Sequence, residues 1–239
     1  IPSRLEKKLH KIFLSRTHIE NPYSEDKNLV NKKIQKFLDS AIVKKALNQI
    51  DDSLQTIQKL SLFEIREKIK EIEFQRRLTL ITQNSLWAHE NSKIPLLSKI
   101  KKIFKTPIKG NGLAPLMALV KARKQKILWL ADESSEVVVD LTIAKFLADL
   151  GHAVIFAVKE APFFKKVCLA DTRTDPVLVK ILETAHFIHE KTISKNNLVK
   201  LLKHDKNIYV VSDGTRENLN LLLVSTTFSR IFKEVDCVI

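Results

Sequence analysis

Acidic and polar side chains occur at three places in this sequence where an apolar run ends. The groups are Asp132-Glu133, Lys159-Glu160 and Ser212-Asp213-Gly214-Thr215. Ligands of open α/β sheets bind outside the carboxyl ends of the strands, so we expect these groups to share one edge of a sheet. Carboxylates that converge beside a helix N-terminus can hold a hard divalent cation and leave room for a phosphate. Asp132 and Asp213 could equally cap the next helix or turn, and spacing alone does not separate the two interpretations.

The residues around Asp132 predict the element that positions this chemistry. Ile127–Ala131 is a short apolar run typical of a buried strand. Ser134 and Glu136 are suited to cap a helix that follows, and the apolar residues of that helix recur with a period near 3.6 as far as Gly151. A second apolar run comes directly afterwards. The order strand, acidic turn, helix, strand is the unit around which we expect the fold to be built.

The second half of the chain continues this alternation. Strands are predicted at residues 127–131, 153–158, 186–189, 207–212 and 235–239, with helical patterns at 137–150, 175–185, 193–204 and 217–232. Strands separated by helices of this length predict right-handed crossovers and a parallel sheet covered on both faces. We therefore expect a Rossmann-like α/β domain of about five strands over residues 125–239. The apolar run of the last predicted strand continues to the final residue, Ile239, so we expect the domain to be truncated at its C-terminal end.

The first half shows helical periodicity and no β-like alternation, which predicts an all-helical domain over residues 1–124 packed on the sheet. The clearest patterns are one helix from Leu29 to Leu47 and another from Leu113 to Lys124. Ser61 and Glu64 form a capping-box pattern that opens a further helix. The fold class predicted for the whole chain is α/β.

Composition limits the function classes. The net charge of +14 lies entirely in residues 1–125, which carry 26 Lys and Arg against 12 Asp and Glu. Such an excess can bind nucleic acid or an acidic membrane, but no aromatic residues are interleaved with the lysines, so we favour solvated helix faces. No apolar run approaches the roughly 20 residues of a membrane span. Four glycines argue against a glycine-rich nucleotide loop, and two separated cysteines indicate a reducing, cytoplasmic setting rather than a metal pair.

Three histidines and one tryptophan that could bind a metal or a ligand are better explained by structural positions. His186 and His189 straddle a predicted strand and should point to opposite faces, which does not suit a shared metal. His152 follows a glycine turn and is expected at the surface. Trp129 alternates within its strand and is expected in the core.

Several motifs occur in the order found in a known family. The run Asp132-Glu133-Ser134-Ser135-Glu136, followed by Asp140, resembles the Asp-Asn-Ala-Gly-Glu-x-x-x-Asp motif of the damage-control phosphatases, the family of the ARMT-like domain. Further similar segments are Asn21-Pro22-Tyr23 with Lys27, Asn84-Ser85-Leu86-Trp87, Pro162-Phe163-Phe164 with Asp171, Ser212-Asp213-Gly214 and Val235-Asp236-Cys237-Val238-Ile239. The resemblance covers most of the chain and implies a helical bundle on a Rossmann-like sheet.

The resemblance also implies a reaction and a set of site residues. Family members are metal-dependent phosphatases that act on sugar phosphates and damaged phosphometabolites. Asp132 would be the catalytic metal ligand, and Glu133 stands where the family has an Asn ligand. The substrate-binding residues implied are Ser134, Ser135, Asp213, Trp87, His89, Lys165 and Lys166. The implied cofactor is Mn²⁺, Co²⁺, Ni²⁺ or Mg²⁺ if the chain is active, and none otherwise.

The departures from the family pattern matter as much as the matches. Ser134 and Ser135 replace Ala-Gly, and the family's second ligand Asp falls at Lys166 or Val167. A Lys ammonium there would repel a cation and pair with Asp132 instead, which predicts weak or absent metal binding. The family's Lys-Gly phosphate loop would lie beyond Ile239.

Three functions therefore compete. The first is a phosphatase with a partly degenerate metal site that acts on a small phosphorylated metabolite. The second is a non-catalytic descendant that binds a ligand or a partner, and the third, weaker one is nucleic-acid binding through the basic helical half. Membrane binding is not expected, and the sequence predicts no oligomeric state.

Overall fold

The computed structural model of the chain describes residues 2–50, 57–83, 97–108, 110–203 and 208–239. Its helices before the first strand are α1 (Pro2–Thr17), α2 (Ser24–Asp39), α3 (Ala41–Asn48), α4 (Leu62–Ile81), α5 (Leu97–Phe104) and α6 (Leu113–Ala118). The chain then alternates through β1 (Lys126–Leu130), α7 (Ser134–Asp149), β2 (Ala153–Val158), α8 (Asp171–Thr174), α9 (Pro176–Ile181), β3 (His186–Ile188), α10 (Lys195–Leu201), β4 (Ile208–Ser212), α11 (Thr226–Glu234) and β5 (Cys237–Val238).

The strands form one sheet in the order β3-β4-β2-β1-β5, and every neighbouring pair is parallel. Because the sheet is parallel, the carboxyl ends of β1, β2 and β4 lie side by side at one edge. In the register, Leu128 of β1 lies beside Ile155 of β2, and Ile155 lies beside Tyr209 of β4. The predicted α/β class with a parallel sheet of five strands is confirmed.

Successive strand residues serve opposite faces of the sheet, as the pleat requires. Ile127 and Trp129 join a core shared with α2, α4 and α7, whereas Leu128 joins a second core closed by α10 and α11. Both faces are therefore covered by helices. The first core is continuous from Ile34 of α2 to Phe156 of β2, and α2 and α4 contribute to it mainly by packing on α7.

Helix boundaries follow local capping chemistry. The Ser61 hydroxyl accepts from the backbone N–H of Glu64, whose carboxylate accepts from the N–H of Ser61, so the predicted capping box is confirmed. Gly151 follows the C-terminus of α7 and has a φ of +98°, which agrees with the prediction that the helix stops at this glycine. No helix in the described part of the chain is long and apolar enough to cross a membrane.

Several local predictions were wrong. The helix expected from Leu29 to Leu47 is broken at Ser40, whose ψ of 138° is extended and whose hydroxyl caps α3. The last helix of the first half ends at Ala118 rather than Lys124. The helix expected at 217–232 begins only at Thr226, because Ser225 caps it. His152 is buried rather than at the surface, and its Nε2 lies 2.9 Å from the carbonyl oxygen of Leu119.

Candidate functional site

The carboxyl ends of β1, β2 and β4 open into one cavity of about 350 Å³, called here the sheet-edge cavity. Asp132 enters it after β1, Lys159 after β2 and Asp213 after β4, and Lys166 enters from the loop that follows β2. Two of the acidic residues predicted to share a site, Asp132 and Asp213, therefore do line the same cavity. Two lysines lie between them, and these lysines decide what the cavity can bind.

The first carboxylate is paired with a lysine. The Nζ atom of Lys166 donates to Oδ1 of Asp132, whose side chain is 61% exposed, whereas that of Lys166 is only 18% exposed. The backbone holds this pair in place, because the N–H of Val167 donates to the carbonyl of Asp132 at 2.9 Å. The N–H of Ser134 donates to the carbonyl of Lys165 at 3.0 Å. The loop that carries Lys166 thus lies against the start of α7.

The second carboxylate is paired as well, and more deeply. Lys159 and Asp213 are both buried, and Nζ of Lys159 lies 2.6 Å from Oδ2 of Asp213. Thr215 adds two donors to the same carboxylate, its hydroxyl at 2.9 Å and its backbone N–H at 2.7 Å. Asp213 is therefore held by the turn that follows β4, and its negative charge is balanced inside the protein.

A third buried pair fixes the backbone of Lys166. Lys27 of α2 is 1% exposed, and its ammonium donates to Oδ2 of Asp171 at 2.9 Å and to the carbonyl of Lys166 at 2.8 Å. Asn21 and the backbone N–H of Cys168 donate to the same Asp171 carboxylate. The resemblance singled out these residues but did not predict what they do. In the structure they tie α2 to the loop that presents Lys166.

Two acidic residues of α7 lie near enough to Asp132 to interact with it electrostatically: Glu136 is half-buried and Asp140 is buried. Burial raises the pKa of Glu136, and the negative charges of Glu133 and Asp132 raise it further. Burial also raises the pKa of Asp140, to about 7, although a hydrogen bond from Trp129 acts in the opposite direction.

The remaining predicted site residues are dispersed. Glu133 is exposed and precedes α7 as its N-cap residue without a side-chain capping bond, which corrects the expectation that Ser134 caps this helix. Ser134 is buried and Ser135 is half-buried within the first turn. Lys165 is exposed, with its Nζ 3.9 Å from a carboxylate oxygen of Asp26. The predictions for Trp87 and His89 lie outside the described residues.

The residues at the sheet edge do not fit a divalent cation. Such an ion needs several oxygen ligands, and their negative charge supplies much of the affinity. Within the described ranges, no three His, Cys, Asp or Glu side chains come together as a metal would require. Both carboxylates of the cavity are already neutralised by an ammonium group, Asp132 by Lys166 and Asp213 by Lys159.

Comparison with known proteins agrees with this fold. The chain is similar to a DUF89 family protein from Pyrococcus horikoshii, with a TM-score of 0.59 and 20% sequence identity. The match covers 99% of this chain and 64% of the archaeal one, so the chain spans less than two thirds of that protein. At this identity the likeness concerns the fold alone.

Among curated proteins no match is found. The family model described as the damage-control phosphatase ARMT1-like domain matches residues 2–239, which is nearly the whole chain. The chain therefore belongs to the damage-control phosphatase ARMT1-like domain family.

Proposed function

We propose that this domain binds a small phosphorylated metabolite in the sheet-edge cavity and does not hydrolyse it by a metal-dependent route. The class of ligand is that of the family. The observation that carries the proposal is the ion pair between Lys166 and Asp132. It places an ammonium group on the carboxylate that would otherwise ligate a cation.

Electrostatics disfavour a cation at this position. A divalent ion that bound Asp132 would lie within a few ångströms of the Lys166 ammonium and would be repelled by it. Displacing that ammonium would leave a lysine that is 18% exposed without its partner, because its backbone is fixed by Lys27 and Val167. Asp213 offers no substitute ligand, since Lys159 and Thr215 already occupy its oxygens.

A phosphate group is a better partner for the same lysine. The Asp132 side chain is largely exposed, so its carboxylate can turn to water at little cost. The Lys166 ammonium can then donate to a phosphate oxygen in a charge-assisted hydrogen bond. In this arrangement Lys166 is the anion-binding residue, and Asp132 is the carboxylate that neutralises it when the cavity holds no ligand.

The competing function is a metal-dependent phosphatase that uses Mn²⁺, Co²⁺, Ni²⁺ or Mg²⁺. The family match and the retained Asp132 favour it. The two functions make opposite predictions for the response of the protein to metal ions and to substitution of Lys166.

The deciding experiment is isothermal titration with Mn²⁺ and Mg²⁺, together with a turnover assay on sugar phosphates. We expect no micromolar metal binding by the natural sequence. Lys166→Asp places a carboxylate beside Asp132 and should strengthen Mn²⁺ binding by roughly tenfold or more, since it replaces repulsion by attraction. The matched control is Lys165→Asp, which makes the same charge change one residue away on an exposed side chain.

Equal gains in both variants would mean that only the general charge matters. Micromolar Mn²⁺ binding by the natural sequence that is lost in Asp132→Ala, with phosphatase turnover lost in parallel, would overturn the proposal and establish the enzyme.

A further inference from the structure

A second and larger cavity, of about 690 Å³, lies between α1 and the loops that follow β2 and β4. We call it the α1 cavity. His10 and Lys11 line it from α1, Pro162 from the loop after β2 and Arg216 from the loop after β4. Its volume suits a small organic ligand rather than a single ion. The two cavities have no lining residue in common.

The lining of the α1 cavity includes two permanently charged basic side chains and two histidines. Lys11, Arg216, His10 and His18 contribute to it, and Glu20 is the acidic residue among them. Among the described side chains, neither Lys11 nor Arg216 has an ion-pair partner within 4.0 Å, in contrast to the paired lysines of the sheet-edge cavity. Two permanent positive charges on exposed side chains therefore line this space, with Glu20 in the same lining and Glu160 near enough to Arg216 to interact with it electrostatically.

Strained backbone is concentrated at the same place. In the described part of the chain, the residues other than glycine with positive φ are His18, at 57°, and Phe164, at 50°. His18 lines the α1 cavity, and the ring of Phe164 packs against the ring of His10 with 5.3 Å between centroids. Positive φ costs such residues of order 1–3 kcal/mol, and strain of this kind clusters at ligand sites.

Aromatic and apolar side chains form another part of the cavity and its surroundings. Nε2 of His10 lies 3.4 Å from the carbonyl oxygen of Pro162, and its ring also contacts Phe163 edge-on at 5.9 Å. Leu14 and Ile19 add aliphatic surface to the lining. A ligand here would meet both positive charges and apolar surface in one cavity.

From this arrangement we propose that the α1 cavity is a second, independent anion site, which binds a small molecule consisting of a phosphate group on a carbon skeleton. Arg216 donates to the phosphate through its planar fork of N–H groups, and Lys11 adds a second charge-assisted hydrogen bond. The skeleton lies on Leu14 and Pro162. This site does not depend on the function proposed for the sheet-edge cavity.

The test uses glucose 6-phosphate as the probe and glucose as its uncharged counterpart, in calorimetric titrations that count the sites. We expect two glucose 6-phosphate sites per chain and no comparable binding of glucose. Arg216→Gln and Lys11→Gln should each weaken one of the two sites by about tenfold, since each removes a hydrogen bond from a charged donor. Lys166→Met should weaken the other site and leave this one unchanged.

The control is Arg123→Gln, which removes an exposed arginine outside both cavities. An equal loss of affinity in Arg123→Gln would show that only the general positive charge attracts the probe, and the proposal would be wrong. It would also be wrong if Arg216→Gln and Lys11→Gln left both affinities unchanged. If the natural sequence shows a single site, which is weakened by Arg216→Gln and Lys11→Gln but not by Lys166→Met, the sheet-edge proposal is refuted while this one stands.

Discussion

Asp140 brings a carboxyl group into the interior of the molecule, where its side chain is 6% exposed and contacts the indole of Trp129. Burial raises the pKa of this carboxyl from its ordinary value of 3.8 to about 7. The folded state therefore retains a proton that the unfolded chain releases. As a result, this residue destabilises the fold progressively as the pH rises from about 4 to about 7, and the full penalty is present above that range.

The substitution Asp140→Asn should remove that penalty. The amide stays neutral and still offers an oxygen to Trp129, so we expect stabilisation on the order of 3 kcal/mol at about pH 8 and little change at about pH 4. Urea denaturation at the two pH values is the measurement. Asp149→Asn, on an exposed residue of the same helix, is the control and should show much less pH dependence. The same gain at both pH values would show that ionisation is not the cause.

Gly214 sets the turn that presents Asp213 to the sheet-edge cavity. Its φ is +82°, and a Cβ added there would lie 2.7 Å from the backbone nitrogen and from the Cβ of Ser225. Gly151 has a similar φ of +98°, but a Cβ there would meet nothing within 4 Å. Substituting each glycine by alanine therefore distinguishes the two effects: Gly151 tests backbone strain alone, and Gly214 tests backbone strain together with steric overlap.

We expect Gly151→Ala to cost roughly 1–2 kcal/mol, which is the penalty of the left-handed conformation alone. Gly214→Ala should cost about 1–3 kcal/mol more, because the overlap forces the turn to move away from Ser225. It should also weaken phosphate binding at the sheet edge, since Lys159 and Asp213 shift with the turn. Equal destabilisation in the two variants would show that the overlap between the added Cβ and Ser225 does not contribute to the free energy of unfolding.

At the scale of elements, α2 is joined to the segment after β2 by two buried polar links. One is the ion pair between Lys27 and Asp171, which also holds the carbonyl of Lys166. The other runs from Asn31 to Asp175 at 2.8 Å and leads to the N-terminus of α9 instead. Since both links start on the same helix, they form a matched pair for substitution.

Lys27→Met should destabilise the protein by about 3 kcal/mol, because it leaves a buried carboxylate with an uncompensated charge. Asn31→Leu removes a single hydrogen bond and should cost about 1–2 kcal/mol, while Asp175 keeps its bonds to the first turn of α9. Only Lys27→Met should speed hydrogen exchange at the amides of Val167 and Cys168. If Asn31→Leu also sped hydrogen exchange at the amides of Val167 and Cys168, α2 would support the loop that carries Lys166 only through its contribution to the overall stability of the fold.

The elements themselves could largely be predicted from the sequence. Apolar periodicity placed the strands and α7, and the capping box placed the start of α4, because these signals are local. Ser40 was missed because its extended backbone interrupts a pattern that is otherwise continuous. The residues before Thr226 were misread because their leucines have helical spacing although Leu221, Leu222 and Leu223 are all exposed.

At the scale of the whole molecule, sequence order predicted which residues reach the sheet edge but not all the partners that they find there. The pairing of Lys166 with Asp132 could be anticipated because a family motif aligned a lysine with a missing ligand. Lys159 with Asp213 and Lys27 with Asp171 are separated by 54 and 144 positions, and nothing local links them. The burial of His152 was unpredictable for the same reason, since Leu119 lies 33 positions away.

The two lysine–carboxylate pairs of the sheet-edge cavity also differ in how well they should tolerate single substitutions. Asp132 is largely exposed, so Lys166 can be substituted singly while the Asp132 carboxylate turns to solvent. Lys159 and Asp213 are both buried, so substitution of either one leaves the other charge buried without a partner, which should lower the free energy of unfolding by about 3–5 kcal/mol. We therefore expect a substitution at position 166 alone to change the affinity of this cavity for cations without unfolding the protein, whereas position 159 can change only together with position 213.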